Sequence, residues 1–493
     1  MIALSIVEKC KGLPLGLITL ARALKTKEKS DVEWKMIMDS EIWNLQDENG
    51  ILPALKLSYY DLPSYLKPLF AYCSLFPKNY EFDKNELVLL WMAEGFLSRL
   101  EGNRSMENAG HQCFEELLSR SFFQHSTAHK ARYTMHDWMN ALAKSVAGEF
   151  FLLDASRLRT FLHVSNSWQE FNLLDSDLAQ LLPRSKFLRV LSLTNYSITE
   201  VPQSIDSLKH LRYLNFSRTI IKGLPEQVSN LYNLQSLLVR DCEMLSSSPA
   251  SFVKLTNLRH FDISGTPLLN KTPLGISGLI SLQTLPKVYI KGGNGFKVSE
   301  LKDLSDLQGR LSIKGLDKVM NPIQAKDANL HQKEGLDDLE MEWNEDVLDN
   351  SRNSTIEYEV FEGLRPHNKL KTLKILFYGG TKFPSWVGDP SFHLTELTLE
   401  GCRCCTHLPT VGHLGSLKKF VMRSLHMVKT LSFQGILLFP SLEILEVYDM
   451  QGLEIWSTSD GNEDDEIAIS FPCLRQIYIK QCPKLAVNVR KQC

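Results

Sequence analysis

The spacing of leucines is the feature that most constrains what this chain can fold into. Four segments carry the pattern L-x-x-L-x-L or an apolar variant of it, and they begin at Leu188, Leu211, Leu234 and Leu258, 23 or 24 residues apart. A unit of this length accommodates one short strand, a turn and a return segment, and it cannot bury its apolar side without neighbouring units. The spacing therefore predicts a leucine-rich-repeat solenoid.

The repeat continues, with two longer intervals, almost to the C-terminus. Clean units begin at five further leucines: Leu370, Leu394, Leu417, Leu442 and Leu474. The longer intervals contain acidic runs at residues 344–359 and 457–466, which are poor in apolar side chains. We predict that both runs loop off a solenoid that occupies residues 181–493.

The first 180 residues have a helical pattern. Residues 1–60 are predicted to form a small helical domain. Residues 61–148 contain three helical segments, two strand-like segments around a polar turn and a last helix beginning near Asp137, which is typical of a winged helix. Asp83 and Glu86 have the spacing of a capping box. Residues 149–180 are interpreted as a connector. The predicted fold class is α+β multidomain, a helical domain and a winged helix followed by an α/β horseshoe of repeats.

Charge and composition exclude several classes of protein. The net charge is -2 and the sequence pI is about 6.7. The winged-helix segment has nine Lys or Arg against ten Asp or Glu, so DNA binding is not expected. No apolar run approaches the ~20 residues of a membrane span, and no signal peptide is recognisable. Ten cysteines without the spacing of a disulfide framework fit a reducing compartment. We therefore predict a cytoplasmic protein, not an extracellular repeat receptor.

Catalytic and metal sites have little support in the sequence. No Ser, His and Asp motif stands in a nucleophile context, so the chain is predicted not to be an enzyme. Cys402 and Cys405 have a C-x-x-C spacing, but no second pair accompanies them, and Cys402 occupies the turn position where this repeat class favours Asn or Cys. We predict no metal site.

Partner binding is predicted on the strands of the solenoid. Successive strand residues point to opposite faces, so the side chains that alternate with the buried leucines form a candidate binding face. These residues are Ser192, Asn215, Arg240, His260, Asp262, Lys374, Glu396, Arg423, Glu446, Tyr448, Tyr478 and Lys480. Their mixed charge and tyrosines suit a protein ligand, although an ordinary solvated face is about as good a reading for any single residue.

Four motifs resemble those of one protein family. Gly12-Leu13-Pro14-Leu15 is similar to its GLPL motif, although Gly16 follows where Ala is usual. Residues 73–82 and 90–96 resemble its winged-helix signature, and Met135-His136-Asp137 resembles its MHD motif. The family is the plant intracellular nucleotide-binding leucine-rich-repeat (NB-LRR) disease-resistance proteins of the coiled-coil class, and the motifs occur in the family's order.

The resemblance implies a nucleotide site. It assigns Gly12, Leu13, Pro14, Leu15, Met135, His136 and Asp137 to nucleotide binding. Pro14 would lie near the adenine and His136 near the β-phosphate of ADP. However, no G-x-x-x-x-G-K-[ST] phosphate loop occurs in the sequence. The chain thus resembles an N-terminally truncated receptor without its coiled coil and P-loop, and we expect no nucleotide cofactor for this chain alone.

The resemblance also implies a function. The repeats would recognise a pathogen effector or a guarded host protein, and the winged helix would be the latch of an ADP/ATP switch. Intramolecular partners would be the nucleotide-binding (NB-ARC) and coiled-coil domains of a full-length innate-immune receptor. The alternative is a stand-alone repeat scaffold that binds proteins without nucleotide switching.

Overall fold

A computed structural model of the chain describes residues 16–18, 53–98, 105–147, 158–164, 175–345, 352–432, 439–457 and 471–485. The GLPL motif at residues 12–15 lies outside these residues. Contacts divide the chain into two units. The first unit comprises Met1–Ser197 and Ser207–Phe216, and the second comprises Ile198–Asp206 and Ser217–Cys493.

Helices and a small hairpin form most of the first unit. The helices are α1 (Pro53–Tyr60), α2 (Leu66–Tyr72), α3 (Lys84–Glu94), α4 (Met106–Ser119), α5 (Asp137–Ala147) and α6 (Asp175–Leu181). Strands β1 (Gln124–His125) and β2 (Tyr133–Thr134) pair antiparallel, as the winged-helix pattern predicts. Phe82 exchanges two backbone hydrogen bonds with Tyr133 and so extends this small sheet.

Local sequence signals explain where the winged-helix helices begin and end. The Asp83 side chain accepts a hydrogen bond from the N–H of Glu86 at 3.0 Å and caps α3, and Ser105 caps α4 in the same way. Gly95 ends α3 in the left-handed conformation, with a φ of 83°, which L-residues with side chains rarely adopt. Behind these helices, Phe82 and Phe114 each pack against Phe123 in a buried aromatic core.

The described part of the first unit also contains three parallel strands. They are β3 (Thr160–Leu162), β4 (Val190–Ser192) and β5 (Tyr213–Asn215), in that order. β3 therefore places a sheet strand within residues 149–180, which the sequence had indicated as a connector. The apolar residues of the repeat pattern, such as Leu191 and Leu214, are fully buried.

Parallel strands also form the second unit. The strands are β6 (Ser236–Leu238), β7 (His260–Asp262), β8 (Lys287–Tyr289), β9 (Gly309–Lys314), β10 (Leu336–Glu342), β11 (Thr372–Leu376), β12 (Glu396–Glu400), β13 (Lys419–Arg423), β14 (Thr430–Ser432), β15 (Ile444–Tyr448), β16 (Ile455–Ser457) and β17 (Gln476–Lys480). Eight of them form one sheet in the order β8, β9, β10, β11, β12, β13, β15 and β17. β6 pairs with β7, and β14 pairs with β16. Most returns between strands are short 3-10 turns, and α7 spans Pro322–Asp327.

The first acidic run differs from its prediction as a simple loop. The last part of the run belongs to helix α8 (Ser354–Gly363), whose first turn is capped by Asn353. Glu357 is buried there and makes two hydrogen bonds, of 2.7 and 2.9 Å, with the guanidinium of Arg352. The same carboxylate accepts the N–H of Gly379 at 2.8 Å. An acidic residue that appears solvated in the sequence thus fixes the run to the solenoid. Residues 346–351 and the second run, apart from Ser457, lie outside the described residues.

Candidate functional site

The Met135-His136-Asp137 motif lies at the start of α5. Met135 is buried and holds the motif against the winged-helix core, whereas His136 and Asp137 are exposed. Nδ1 of His136 accepts a hydrogen bond from the N–H of Trp138 at 3.2 Å, and the His136 carbonyl accepts one from Asn140. The imidazole therefore caps the first turn of the helix.

This cap determines which imidazole nitrogen can act on a ligand. Because Nδ1 accepts a hydrogen bond, a neutral imidazole carries its proton on Nε2. Within the described part of the chain, Nε2 has no hydrogen-bond partner. It is an exposed donor beside the positive end of an eleven-residue helix, a combination that suits an anionic oxygen. The residues present at this motif are therefore chemically compatible with a nucleotide phosphate.

Helix α3 of the winged helix packs against strands of the repeats within the first unit. The hydroxyl of Tyr213, on β5, donates to the carboxylate of Glu86 at 3.1 Å. The guanidinium of Arg189 donates to the backbone carbonyl of Glu94 at 2.5 Å, and Thr160 donates to the Glu94 side chain. Both ends of α3 are thereby tied to repeat strands. Sequence reasoning missed this contact, because its members are far apart along the chain.

The predicted partner-binding residues of the first repeats offer little free surface. Ser192 and Asn215 are buried, and so are His260 and Asp262, which are only 7% and 8% exposed. The Asp262 carboxylate accepts a hydrogen bond from the guanidinium of Arg240. Side chains on adjacent strands, about 4.8 Å apart, cover one another here. The contact between Arg240 and Asp262 links two neighbouring repeats.

The long sheet of the second unit brings the other predicted residues into rows that cross the strands. Glu446 is in register with Tyr478, and Tyr448 lies between Arg423 and Lys480. Lys374 and Glu396 lie on β11 and β12, towards the middle of the sheet. The alternation rule therefore correctly places these side chains on one face of the sheet.

A groove of about 700 Å³ lies on this face between β12 and β17. It is lined by five of the predicted residues, namely Arg423, Glu446, Tyr448, Tyr478 and Lys480. Sequence reasoning missed other lining residues, of which Lys419 and Glu400 are charged. Both follow the same alternation and could have been found by applying it to every strand position.

Glu446 organises the charge in this groove. Its carboxylate forms ion pairs of 3.0 Å with Lys419 and with Arg423, which lie on the neighbouring strand β13. Partial burial opposes the charged form, but the hydrogen bonds from the two cations outweigh it and lower the pKa of Glu446. Lys480, in contrast, has no ion-pair partner among the residues that the structure describes. Its ammonium lies at the edge of the groove.

The cysteines of the C-x-x-C segment serve the repeat turns. The thiol of Cys405 donates to the carbonyl of Gly380 at 3.0 Å, and the thiol of Cys402 donates to that of Glu400 at 3.6 Å. Burial raises the pKa of Cys402 to about 12 and that of Cys405 further, so both thiols stay protonated and unreactive at neutral pH. Their geometry is that of turn-stabilising residues.

Two protein families match this chain. Residues 75–143 match the disease resistance protein winged helix domain, and residues 298–425 match the R13L1/DRL21 LRRs. RPP13-like protein 1 of Arabidopsis thaliana is 36% identical over 97% of this chain and 50% of its own length. Disease resistance protein RGA2 of Solanum bulbocastanum is 34% identical over 98% of this chain and 50% of its own length. The chain spans about half the length of these relatives.

Fold and sequence together define the class of protein. It combines a winged-helix domain with a leucine-rich-repeat region, and within the described ranges no helix is long and apolar enough to cross a membrane. The chain is homologous to the plant disease resistance proteins, and its domains are consistent with an NB-LRR resistance protein.

Proposed function

We propose that this chain is the recognition and regulatory part of a plant innate-immune receptor. In this proposal the leucine-rich repeats bind a pathogen effector or a guarded host protein. The winged helix contributes His136 to a nucleotide site whose phosphate loop comes from another segment. Exchange of ADP for ATP then releases the winged helix from its closed position.

The observation that carries the proposal is the position of His136. Its Nε2 is an exposed donor, its ring is oriented by the N–H of Trp138, and the buried Met135 fixes the backbone before it. When bound, ADP would supply a phosphate oxygen as acceptor for this donor. A hydrogen bond to a charged group contributes about 1.5–3 kcal/mol, which corresponds to about 10- to 150-fold in affinity.

The test needs a chimera in which a P-loop nucleotide-binding domain precedes this chain. We expect His136→Ala to raise the dissociation rate of a fluorescent ADP analogue about tenfold or more, because one phosphate contact is lost. The matched control is His129→Ala. His129 is an exposed histidine of the same domain, and its Nδ1 lies 2.7 Å from Glu81.

A His136→Ala chimera that released ADP no faster than the unmodified chimera would argue against the phosphate contact. If the unmodified chimera also retained no ADP, the alternative of a repeat scaffold without nucleotide switching would be preferred. If the control variant lost ADP as fast as the His136 variant, the effect would be a general loss of winged-helix stability.

A further inference from the structure

The end of the long sheet is more basic and more aromatic than its middle. Strands β13, β15 and β17 present three cations on the groove face, Lys419, Arg423 and Lys480, against the single carboxylate of Glu446. Strands β10 to β12 present five carboxylates and one cation on the same face: Asp338, Glu340, Glu342, Glu396, Glu400 and Lys374. The face is therefore charge-asymmetric along the solenoid.

Two carboxylates of β10 are already paired with cations of the neighbouring strand β9. Glu340 pairs with Arg310 at 2.9 Å and Glu342 pairs with Lys314. The basic end has no such balance, because Glu446 is shared by two cations and Lys480 has no ion pair within the described ranges. Among the residues that the structure describes, an acidic ligand would therefore meet an excess of positive charge at this end.

Two tyrosines lie among these cations. Tyr448 and Tyr478 are 39% and 46% exposed, and Tyr448 stands in one row between Arg423 and Lys480. Adjacent strands are about 4.8 Å apart, so the two cationic positions are separated by roughly 10 Å with an aromatic ring between them. Such a row can pair with carboxylates on both sides of an apolar side chain.

We propose that this basic and aromatic patch, formed by Lys419, Arg423, Tyr448, Tyr478 and Lys480, binds an acidic polypeptide segment that contains an aromatic residue. This inference rests on the proposed role of the repeats in recognition and specifies the chemistry of the partner. Carboxylates of the segment pair with the cations, and its aromatic ring packs on the tyrosines. Glu446 competes with the segment for Lys419 and Arg423. A nucleic acid fits less well, because three cations in a chain of net charge -2 do not form the extended basic face that a phosphate backbone requires.

The experiment uses the full 493-residue chain and fluorescein-labelled peptides, at an ionic strength of about 0.1 M, where charges screen over about 10 Å. By fluorescence anisotropy, the peptide GEEFEEG should bind at least about tenfold more tightly than GKKFKKG or GEEAEEG. Lys480→Glu should weaken its binding about tenfold, and Glu446→Gln should tighten it several-fold by releasing two cations.

The matched control is Lys374→Glu, which makes the same change on the same face. Lys374 is four strand spacings from Lys480, roughly 19 Å, so this substitution should change affinity less than about twofold. Because Lys480 is exposed, its reversal should leave the thermal unfolding midpoint unchanged, which a melting curve checks.

Several results would overturn the inference. Equal losses for Lys480→Glu and Lys374→Glu would mean a non-specific charge effect. Preference for GKKFKKG would keep recognition on this face but reverse its chemistry, and binding of neither peptide would remove the patch as a ligand site. Tighter binding of a single-stranded oligonucleotide than of GEEFEEG would favour a nucleic acid. None of these outcomes depends on ADP retention, which tests the switch separately.

Discussion

The hydroxyl of Tyr213 donates a hydrogen bond of 3.1 Å to the carboxylate of Glu86 and joins a repeat strand to a winged-helix helix. The sequence instead predicts that the Glu86 side chain caps its own helix, in a capping box with Asp83. Asp83 caps that helix as expected, but the Glu86 side chain extends to the repeat strand instead. The winged helix and the first repeats are therefore linked within one unit.

Tyr213→Phe should destabilise the first unit. The substitution removes a donor to a charged group and an acceptor for the amide of Asn215, so we expect the free energy of unfolding to fall by about 1.5 kcal/mol or more. Urea unfolding measures this change, and a cycle with Glu86→Gln isolates the pairwise part. Tyr232→Phe is the control, because that ring is about half exposed. If both tyrosine substitutions changed the free energy of unfolding equally, the stabilising role of the Tyr213 hydroxyl would be contradicted.

Glu357→Ala should be strongly destabilising. It leaves the N–H of Gly379 without its acceptor and the partly buried guanidinium of Arg352 with two backbone carbonyls but no counter-charge, and breaking a buried pair costs about 3–5 kcal/mol. Hydrogen exchange should accelerate in α8. In the control Asp389→Ala, the lost pair with Arg365 is largely exposed to solvent and should contribute little to stability. Unchanged protection of α8 would show that this pair does not anchor the helix.

Leu397→Ala tests the strand assignment of the repeats. Leu397 is fully buried, so its truncation should cost about 2–5 kcal/mol through a cavity. Its neighbour Glu396 is exposed, and Glu396→Ala should change stability by less than about 0.5 kcal/mol. Asn215 would be a poor control, because it is buried and bonded to Tyr213. Similar urea midpoints for both variants would contradict the alternation.

Lys333 should make stability depend on pH. Its buried ammonium donates to the carbonyls of Leu301 and Leu304, and burial lowers the pKa of Lys333 from 10.5 to about 8. The unfolded chain then binds more protons between these pH values, so the free energy of unfolding should rise from pH 8 towards 10.5. Urea titrations at several pH values should show this rise in the parent chain but not in Lys333→Met. The other lysines are present in both chains, so their contributions cancel when the two are compared. If the free energy of unfolding depended on pH in the same way in both chains, the prediction would be refuted.

The repeat spacing predicted the buried leucines because period and burial are local properties of the chain. It did not predict α8, because the burial of Glu357 involves a contact with Gly379, which lies 22 residues away along the chain. His260 appeared exposed for a related reason. Its place on the outer face of a strand is correct, but its ring is covered when it meets Thr284 of the next repeat at 3.0 Å.

At the candidate sites, too, the sequence predicts local features but not the contacts between side chains. The helix start at Asp137 follows from the sequence, and His136 was identified through the family motif. The orientation of its ring depends on a hydrogen bond that only coordinates reveal. The face on which the groove lies could be predicted, because it follows from the alternation of side chains along each strand. The position of Glu446 between Lys419 and Arg423 could not, because it depends on how β13 and β15 are paired.

The central claim is that His136 belongs to a nucleotide site that another segment must complete. Several charged hydrogen bonds from a phosphate loop are not encoded in residues 1–493, and each is worth about 1.5–3 kcal/mol, so a micromolar ligand should become weaker than millimolar. Calorimetric titration of this chain with ADP and with Mg-ATP, beside the chimera, tests the claim most directly. We predict saturable binding for the chimera alone; saturation of residues 1–493 at micromolar ADP would contradict the account.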